Sequence, residues 1–309
     1  MNTFVLYITT VVIWGSTWLA IKFQLGTVSP DVSVAYRFLI AALVLIAWAV
    51  FRGKDMRYPV RDHLWIALQG FFLFSANYYV FYVASLDLTT GLVAVVFSTI
   101  VAMNIIFGRF FFQTPATFRV VGGVVLGLGG LMLVFRPEIE NFNFADNGAF
   151  GLMLCLFATT LASLGNMASA RNQRRGLPVM QTNTYGMLYG SIFMFVFAFF
   201  SGSEFTFDAS FKYISSLLYL ALFGSVVAFG AYLTLLGRIG AGRAAYASVL
   251  FPVVALTLSV FFEDYVFTPE AIIGAILVLS GNVLVLARVE HAKNIATFFT
   301  QKKRNKKGA

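Results

Sequence analysis

Few residues of this chain could do chemistry, and those few stand among apolar neighbours. Trp14, Trp18 and Lys22 fall at i, i+4 and i+8 within WGSTWLAIK. On a helix of 3.6 residues per turn they drift only about 80° and share a face. Arg37 follows within PDVSVAYRFLIAAL, and Asn77, Tyr78 and Tyr82 come next. Tyr78 and Tyr82 are i, i+4 and present ring faces and hydroxyls on one stripe. Ser98, Thr99, Asn104, Asn166, Tyr246, Ser248 and Asn282 are further polar groups set in apolar runs. Aromatic walls with a few hydroxyls, amides and a cation suit an amphipathic small molecule. No G-x-x-x-x-G-K-[ST] appears for ATP hydrolysis, no metal cluster of His, Cys and acids, and no Ser-His-Asp arrangement. His63 and His291 stand at a span edge and in the tail, and no Asp or Glu falls inside an apolar run. A catalytic residue, a metal, a cofactor and coupling through a buried carboxylate are therefore not expected.

Composition says what must position these residues. The chain has 309 residues, 59% apolar and only 11% charged, against about 25% charged in a soluble domain. Its mean hydropathy is +0.82. Ten stretches reach the roughly 20 apolar residues that cross a bilayer: 3–25, 32–51, 63–84, 89–108, 118–135, 148–170, 179–201, 213–236, 243–261 and 270–288. The N-terminus has no basic leader and no small-residue cleavage site, so it reads as a retained first span. A single cysteine, Cys155, excludes an intrachain disulfide.

Loop charge orients the spans. All basic residues except Lys22, Arg37, Arg136 and Lys212 collect on one side, and most acids lie on the other. Lys and Arg mark the cytoplasmic side, so both termini are expected there. The tail KKRNKK reads as an anchor to anionic lipid, worth about 1 kcal/mol per basic residue. Nothing aromatic accompanies it to suggest nucleic acid.

The halves resemble each other. YVASLDLTTGLVAVVFSTIVA from Tyr82 aligns with YLTLLGRIGAGRAAYASVLFP from Tyr232 at an offset of 150, sharing Leu86/Leu236 and Ser98/Ser248. Gly122/Gly129 and Gly274/Gly281 coincide at an offset of 152. Five spans per half place the second repeat upside down, as in secondary transporters with a midplane site. The chain thus divides into repeats at 1–147 and 148–290 and a tail at 291–309. Glycines seven apart share a helix face and let helices approach closely. The Gly123–Gly127 GxxxG is read as packing within the bundle, and the oligomeric state is left unassigned. Trp14 lies about 16 Å into its span, too deep for an interfacial belt, so it faces either a neighbouring helix or a cavity. Arg37, about 8 Å from the outer end of its span, needs a partner or water.

Ten spans in a five-plus-five repeat, WGSTWLAIK, PDVSVAYRFLIAAL and the Pro-bearing ASVLFPVVAL of the ninth span resemble the drug/metabolite transporter superfamily. Within it the chain is similar to the EamA-type exporters, over essentially residues 3–288. The resemblance implies an all-α, ten-helix protein of a bacterial inner membrane that exports small organic metabolites by alternating access. Amino acids, aromatic ones included, are the leading cargo by similarity to aromatic amino-acid exporters. An exporter of cationic aromatic drugs is the alternative within the fold, and a structural or lipid-scrambling protein the alternative outside it. The expected contacts are Trp14, Trp18, Asn77, Tyr78, Tyr82, Ser98, Tyr246 and Ser248. Lys22 or Arg37 attracts a carboxylate or pairs with Asp31 or Asp87. Pro252 kinks the ninth span for gating, where the first half has Ala102.

Overall fold

A computed structural model describes residues 1–88, 90–115, 117–140, 148–254 and 268–286. Those residues form helices, turns and short links, with no strand among them. Seven helices are long and apolar enough to cross a membrane: α1 (Thr3–Lys22), α2 (Pro30–Phe51), α3 (Val60–Leu86), α4 (Val93–Phe112), α6 (Gly148–Arg174), α7 (Val179–Phe200) and α8 (Phe211–Ile239). Three apolar helices are shorter: α5 (Phe118–Val134), α9 (Ala241–Val254) and α10 (Pro269–Val285). The expected ninth span runs past Val254 into 255–267, which lie outside the described residues, as does the basic tail.

Local chemistry sets the helix ends. Pro30 occupies the first turn of α2, where its missing amide hydrogen costs nothing. Asp31 beside it accepts from the Val32 amide at 2.9 Å, from the Ser29 hydroxyl, and from Ser203 at 2.7 Å. The Ser210 hydroxyl oxygen caps α8 by accepting from the Tyr213 amide at 3.2 Å, satisfying a donor the first turn would leave free. Between α8 and α9 stands Gly240 alone, with a φ of 87° in the region that favours glycine. Both α3 and α8 widen into π-type turns, at Phe72–Ala76 and Leu220–Val227.

Contacts between loops define two ends of the bundle. At one, Arg238 donates to the Met1 carbonyl, Tyr185 to the Met56 carbonyl at 2.7 Å, and Arg171 pairs with Asp62 at 3.1 Å. At the other, Ser203 meets Asp31, Tyr36 donates to the Thr206 carbonyl, and Lys212 lies over Phe23. Arg174 and Arg243 lie beside Arg238 at the first end.

The most extensively packed helix pair is α5 against α10. A methyl at Gly130 would lie 2.6 Å from the Gly274 carbonyl oxygen, and one at Gly274 would lie 2.6 Å from the Gly130 oxygen. Gly123 and Gly281 oppose each other in the same reciprocal way. The packing face is therefore 123/127/130. Gly129 has nothing within 4 Å of such a methyl, and Gly122 meets only Leu284, which corrects the expectation that the 122/129 face makes the approach. These reciprocal contacts make Gly123 and Gly130 the counterparts of Gly274 and Gly281, at an offset of 151, one less than the offset of 152 read from the sequence. Gly123 and Gly127 pack within the chain against Val285, Gly281 and Tyr246. Replacing Gly130 by Ala should destabilise the protein by about 1–3 kcal/mol through overpacking, while Gly129→Ala should stay within about 0.5 kcal/mol of the parent. Thermal unfolding in detergent compares them; equal melting temperatures would show that the seam tolerates a methyl.

A central pocket and a basic vestibule form the candidate site

The centre of the bundle holds a small cavity of about 60 Å³. At some 10–15 Å³ per water that is room for only a few molecules. Its walls include Trp14 and Thr17 of α1, Asn77 and Tyr78 of α3, Phe97 of α4, Asn166 of α6, Phe229 and Tyr232 of α8, and Ser248 and Phe251 of α9. Trp14 is the hub. Its ring lies 4.7 Å from Phe229, 4.9 Å from Tyr232 and 5.8 Å from Phe251. Its indole N–H donates to the Gly224 carbonyl at 2.9 Å. Gly224 sits in the π-type turn of α8, where the widened ladder leaves a carbonyl for an outside donor. Trp14 therefore both packs a neighbouring helix and faces the cavity.

Beside this pocket Arg37 is almost fully buried, 1% exposed. Its Nε donates to Ser225 at 3.0 Å, and its guanidinium lies 4.5 Å over the Tyr78 ring and 5.2 Å from Phe38. Among the described residues it has no carboxylate partner, and its Nη1 has no hydrogen-bond acceptor. Pairing with Asp31 is not observed, because that carboxylate is saturated by Ser29, Ser203 and the Val32 amide. The side chain of Asp87 lies outside the described residues. Gln24 adds a second idle donor: its Oε1 accepts from Tyr82 at 3.1 Å while its Nε2 has no partner. The idle acceptors are Asn77 Oδ1 and Asn166 Oδ1, and Ser248 Oγ is also unpartnered.

Four polar side chains close the pocket toward the basic end. Asn104 accepts from Ser163 at 2.6 Å and from Asn166 at 3.4 Å, and donates to the Ala241 carbonyl at 3.2 Å. Asn166 also donates to the Tyr232 hydroxyl at 3.0 Å. Beyond Asn104 opens a vestibule of about 740 Å³ between α4, α6, α8 and α9.

The expected contacts divide cleanly. Trp14, Asn77, Tyr78 and Ser248 meet at the pocket. Tyr82 lies behind it on Gln24. Tyr246 is locked in the α5–α10 seam, donating to the Gly123 carbonyl. Ser98 does not line the pocket, but its hydroxyl donates to the carbonyls of Ala94 at 2.9 Å and Ser248 at 3.3 Å. Lys22 is exposed at the end of α1, and the side chain of Trp18 lies outside the described residues. Pro252 has no amide to give Ser248, and the stretch just before it, Tyr246–Leu250, tightens into a 3₁₀ turn. Helix α4 is interrupted too, at Thr99 between Thr90–Ser98 and Ile100–Phe112, so an irregularity exists in both halves without a second proline. Sequence reasoning missed Thr17, Phe97, Phe229, Tyr232, Phe251 and Ser225. Only Tyr232 carried a signal, as the counterpart of Tyr82 at the 150-residue offset.

Comparison with known proteins agrees with this architecture. A solved structure titled "Crystal structure of protein" superposes with a TM-score of 0.74 at 18% identity, covering 92% of this chain and 96% of that one. The inner membrane transporter YedA of Escherichia coli K12, itself uncharacterized, is 29% identical over 82% of this chain and 79% of its own. A probable amino-acid metabolite efflux pump of the same organism is 26% identical over 90% of this chain and 92% of its own. The EamA-like transporter family matches residues 1–136 and again 149–287. The chain is a multi-pass integral membrane protein and belongs to the EamA-like transporter family.

Proposed function

We propose that the protein exports small organic metabolites, foremost amino acids including aromatic ones, by alternating access at the central pocket. The carrying observation is an aromatic cavity lined by Asn77 and Asn166, whose Oδ1 atoms are idle, with two more idle donors, Arg37 Nη1 and Gln24 Nε2, set back from it beside Tyr78 and Tyr82. Arg37 Nη1 and Gln24 Nε2 can donate to a carboxylate, and Asn77 Oδ1 and Asn166 Oδ1 can accept from an ammonium. The rings of Trp14, Tyr78, Phe229 and Phe251 offer an apolar body its surface. A zwitterion with an apolar side chain would use these groups once the pocket, which here has room for only a few waters, widens to admit it. Lone cationic cargo would leave Arg37 unanswered and repelled. The similarity to a probable amino-acid metabolite efflux pump supports the same reading.

The same proposal takes the chain as two inverted five-helix repeats with both termini in the cytoplasm of a bacterial inner membrane. Five observations support it. The family matches twice in tandem. Gly123 and Gly130 meet Gly281 and Gly274 reciprocally, the pattern a two-fold axis imposes. Ser98 touches its own counterpart Ser248. The π-type turns of α3 and α8 fall at matching positions. Positive charge at the Met1 end points that end to the cytoplasm.

Counterflow in proteoliposomes tests the cargo. Labelled phenylalanine, tyrosine and tryptophan should exchange saturably, with Tyr78→Ala raising the half-saturation concentration about tenfold or more, as loss of roughly 1.4 kcal/mol of ring contact requires. No saturable exchange of any amino acid would exclude this substrate class. A second measurement separates binding from architecture at Arg37. A buried unpaired cation is costly, so Arg37→Met should leave the melting temperature unchanged or raise it while abolishing exchange. A variant that melts markedly lower would make Arg37 a structural strut.

A further inference from the structure

The vestibule is a built cavity that the central pocket does not explain. We propose that it is a separate binding site for a carboxylate-bearing small molecule, occupied before cargo reaches the pocket. The choice of carboxylate, as against other anions, rests on the export reading above. Arg174, Arg238 and Arg243 all line this cavity, and among the described residues its wall contains no Asp or Glu. Neither ion pair found among the described residues, Arg136–Glu140 or Arg171–Asp62, involves any of the three. Their known contacts hold side chains in place without cancelling charge: Arg174 lies 3.9 Å over the Phe112 ring, and Arg238 donates to the Met1 carbonyl at 2.6 Å. The positive-inside pattern asks for basic residues on loops, but it does not ask for three of them around one concavity. A cleft of one sign between low-dielectric walls concentrates the opposite ion, and guanidinium groups match a carboxylate in two-point contacts.

The remaining walls fit the rest of such a molecule. Thr114, Thr117, Gln173 and Thr234 offer polar contacts, while Ile105, Phe112 and Ile239 offer an apolar surface. The floor is Asn104, whose partner Asn166 lines the central pocket. A molecule held by the three arginines therefore waits one layer of hydrogen bonds from the pocket, in a space of about 740 Å³ against about 60 Å³ beyond it.

Binding can be read without transport. The full chain carrying Thr234→Cys is placed in phosphatidylcholine nanodiscs and labelled with N-ethylmaleimide, a neutral reagent. Native Cys155 is fully buried, so the introduced thiol reports, and the parent chain gives the background. Benzoate at constant ionic strength should slow labelling about tenfold, the low end for focusing in a charged cleft, and benzyl alcohol should not. The protection should vanish when Arg174, Arg238 and Arg243 are all replaced by Gln and persist when all are replaced by Lys. Equal protection by benzyl alcohol, survival in the Gln variant, or loss in a monodisperse Lys variant would each overturn the proposal. Phosphatidylglycerol nanodiscs should label at the same rate without benzoate. Slowing by that lipid alone would assign the site to a lipid headgroup and overturn it as well. Failure of amino-acid counterflow leaves these results untouched, so failure of one reading is distinguishable from failure of the other.

Discussion

A guanidinium buried inside the helix bundle, with no carboxylate partner among the described residues, governs the organisation of this protein. Charge at that depth is tolerated only beside a partner, water or a polarisable surface. The chain gives Arg37 a serine, the faces of Tyr78 and Phe38, and nothing anionic among the described residues. The contacts that soften its cost also bind α2 to α3 and α8. Had Asp31 turned inward to meet it, the charge would be neutral and the pocket electrically blank. Instead Asp31 is spent on capping its own helix and holding Ser203.

The walls follow from the same rule applied to neutral groups. In hydrocarbon every polar atom must find its partner within the protein, so the cross-helix links are hydrogen bonds between distant segments. Trp14 reaches Gly224, Asn166 reaches Tyr232, and Ser98 reaches Ser248. Helices α5 and α10 meet each other instead through glycine, backbone against backbone. The molecule thus combines a seam with no room to shift and a set of walls held by exchangeable bonds.

Much of this was legible in the sequence, and the limits have physical causes. Low charge density and long apolar runs mark the helices because a charge is costly to desolvate wherever along the chain it falls. Trp14 could be placed at the centre because depth scales with residue count along a helix. Rotation about the helix axis is less well encoded. Gly122 and Gly129 share a face, but so do Gly123 and Gly130, one residue and 100° away, and spacing alone cannot choose between them. The partner of Arg37 was illegible for a related reason. Ser225 is 188 positions away and looks like any other serine until α8 is laid beside α2. The π-type turns have no proline to announce them, and Phe229 and Phe251 are two among 35 phenylalanines.

The hydrogen-bonded layer of Asn104, Ser163, Asn166 and Tyr232 has a consequence for the cell's energy supply. A transporter that gives way before the cargo arrives would short-circuit the potential across its membrane. Amides and hydroxyls keep the same charge throughout the neutral range, so this layer responds to neither pH nor voltage by ionising. Each of its four side chains has a protein partner, and among its side-chain oxygens and nitrogens Asn166 Oδ1, on the pocket side, is left idle, so water gains a foothold at the pocket and little beyond it. Electrical tightness here comes from uncharged groups bonded to one another, and it lasts as long as they do.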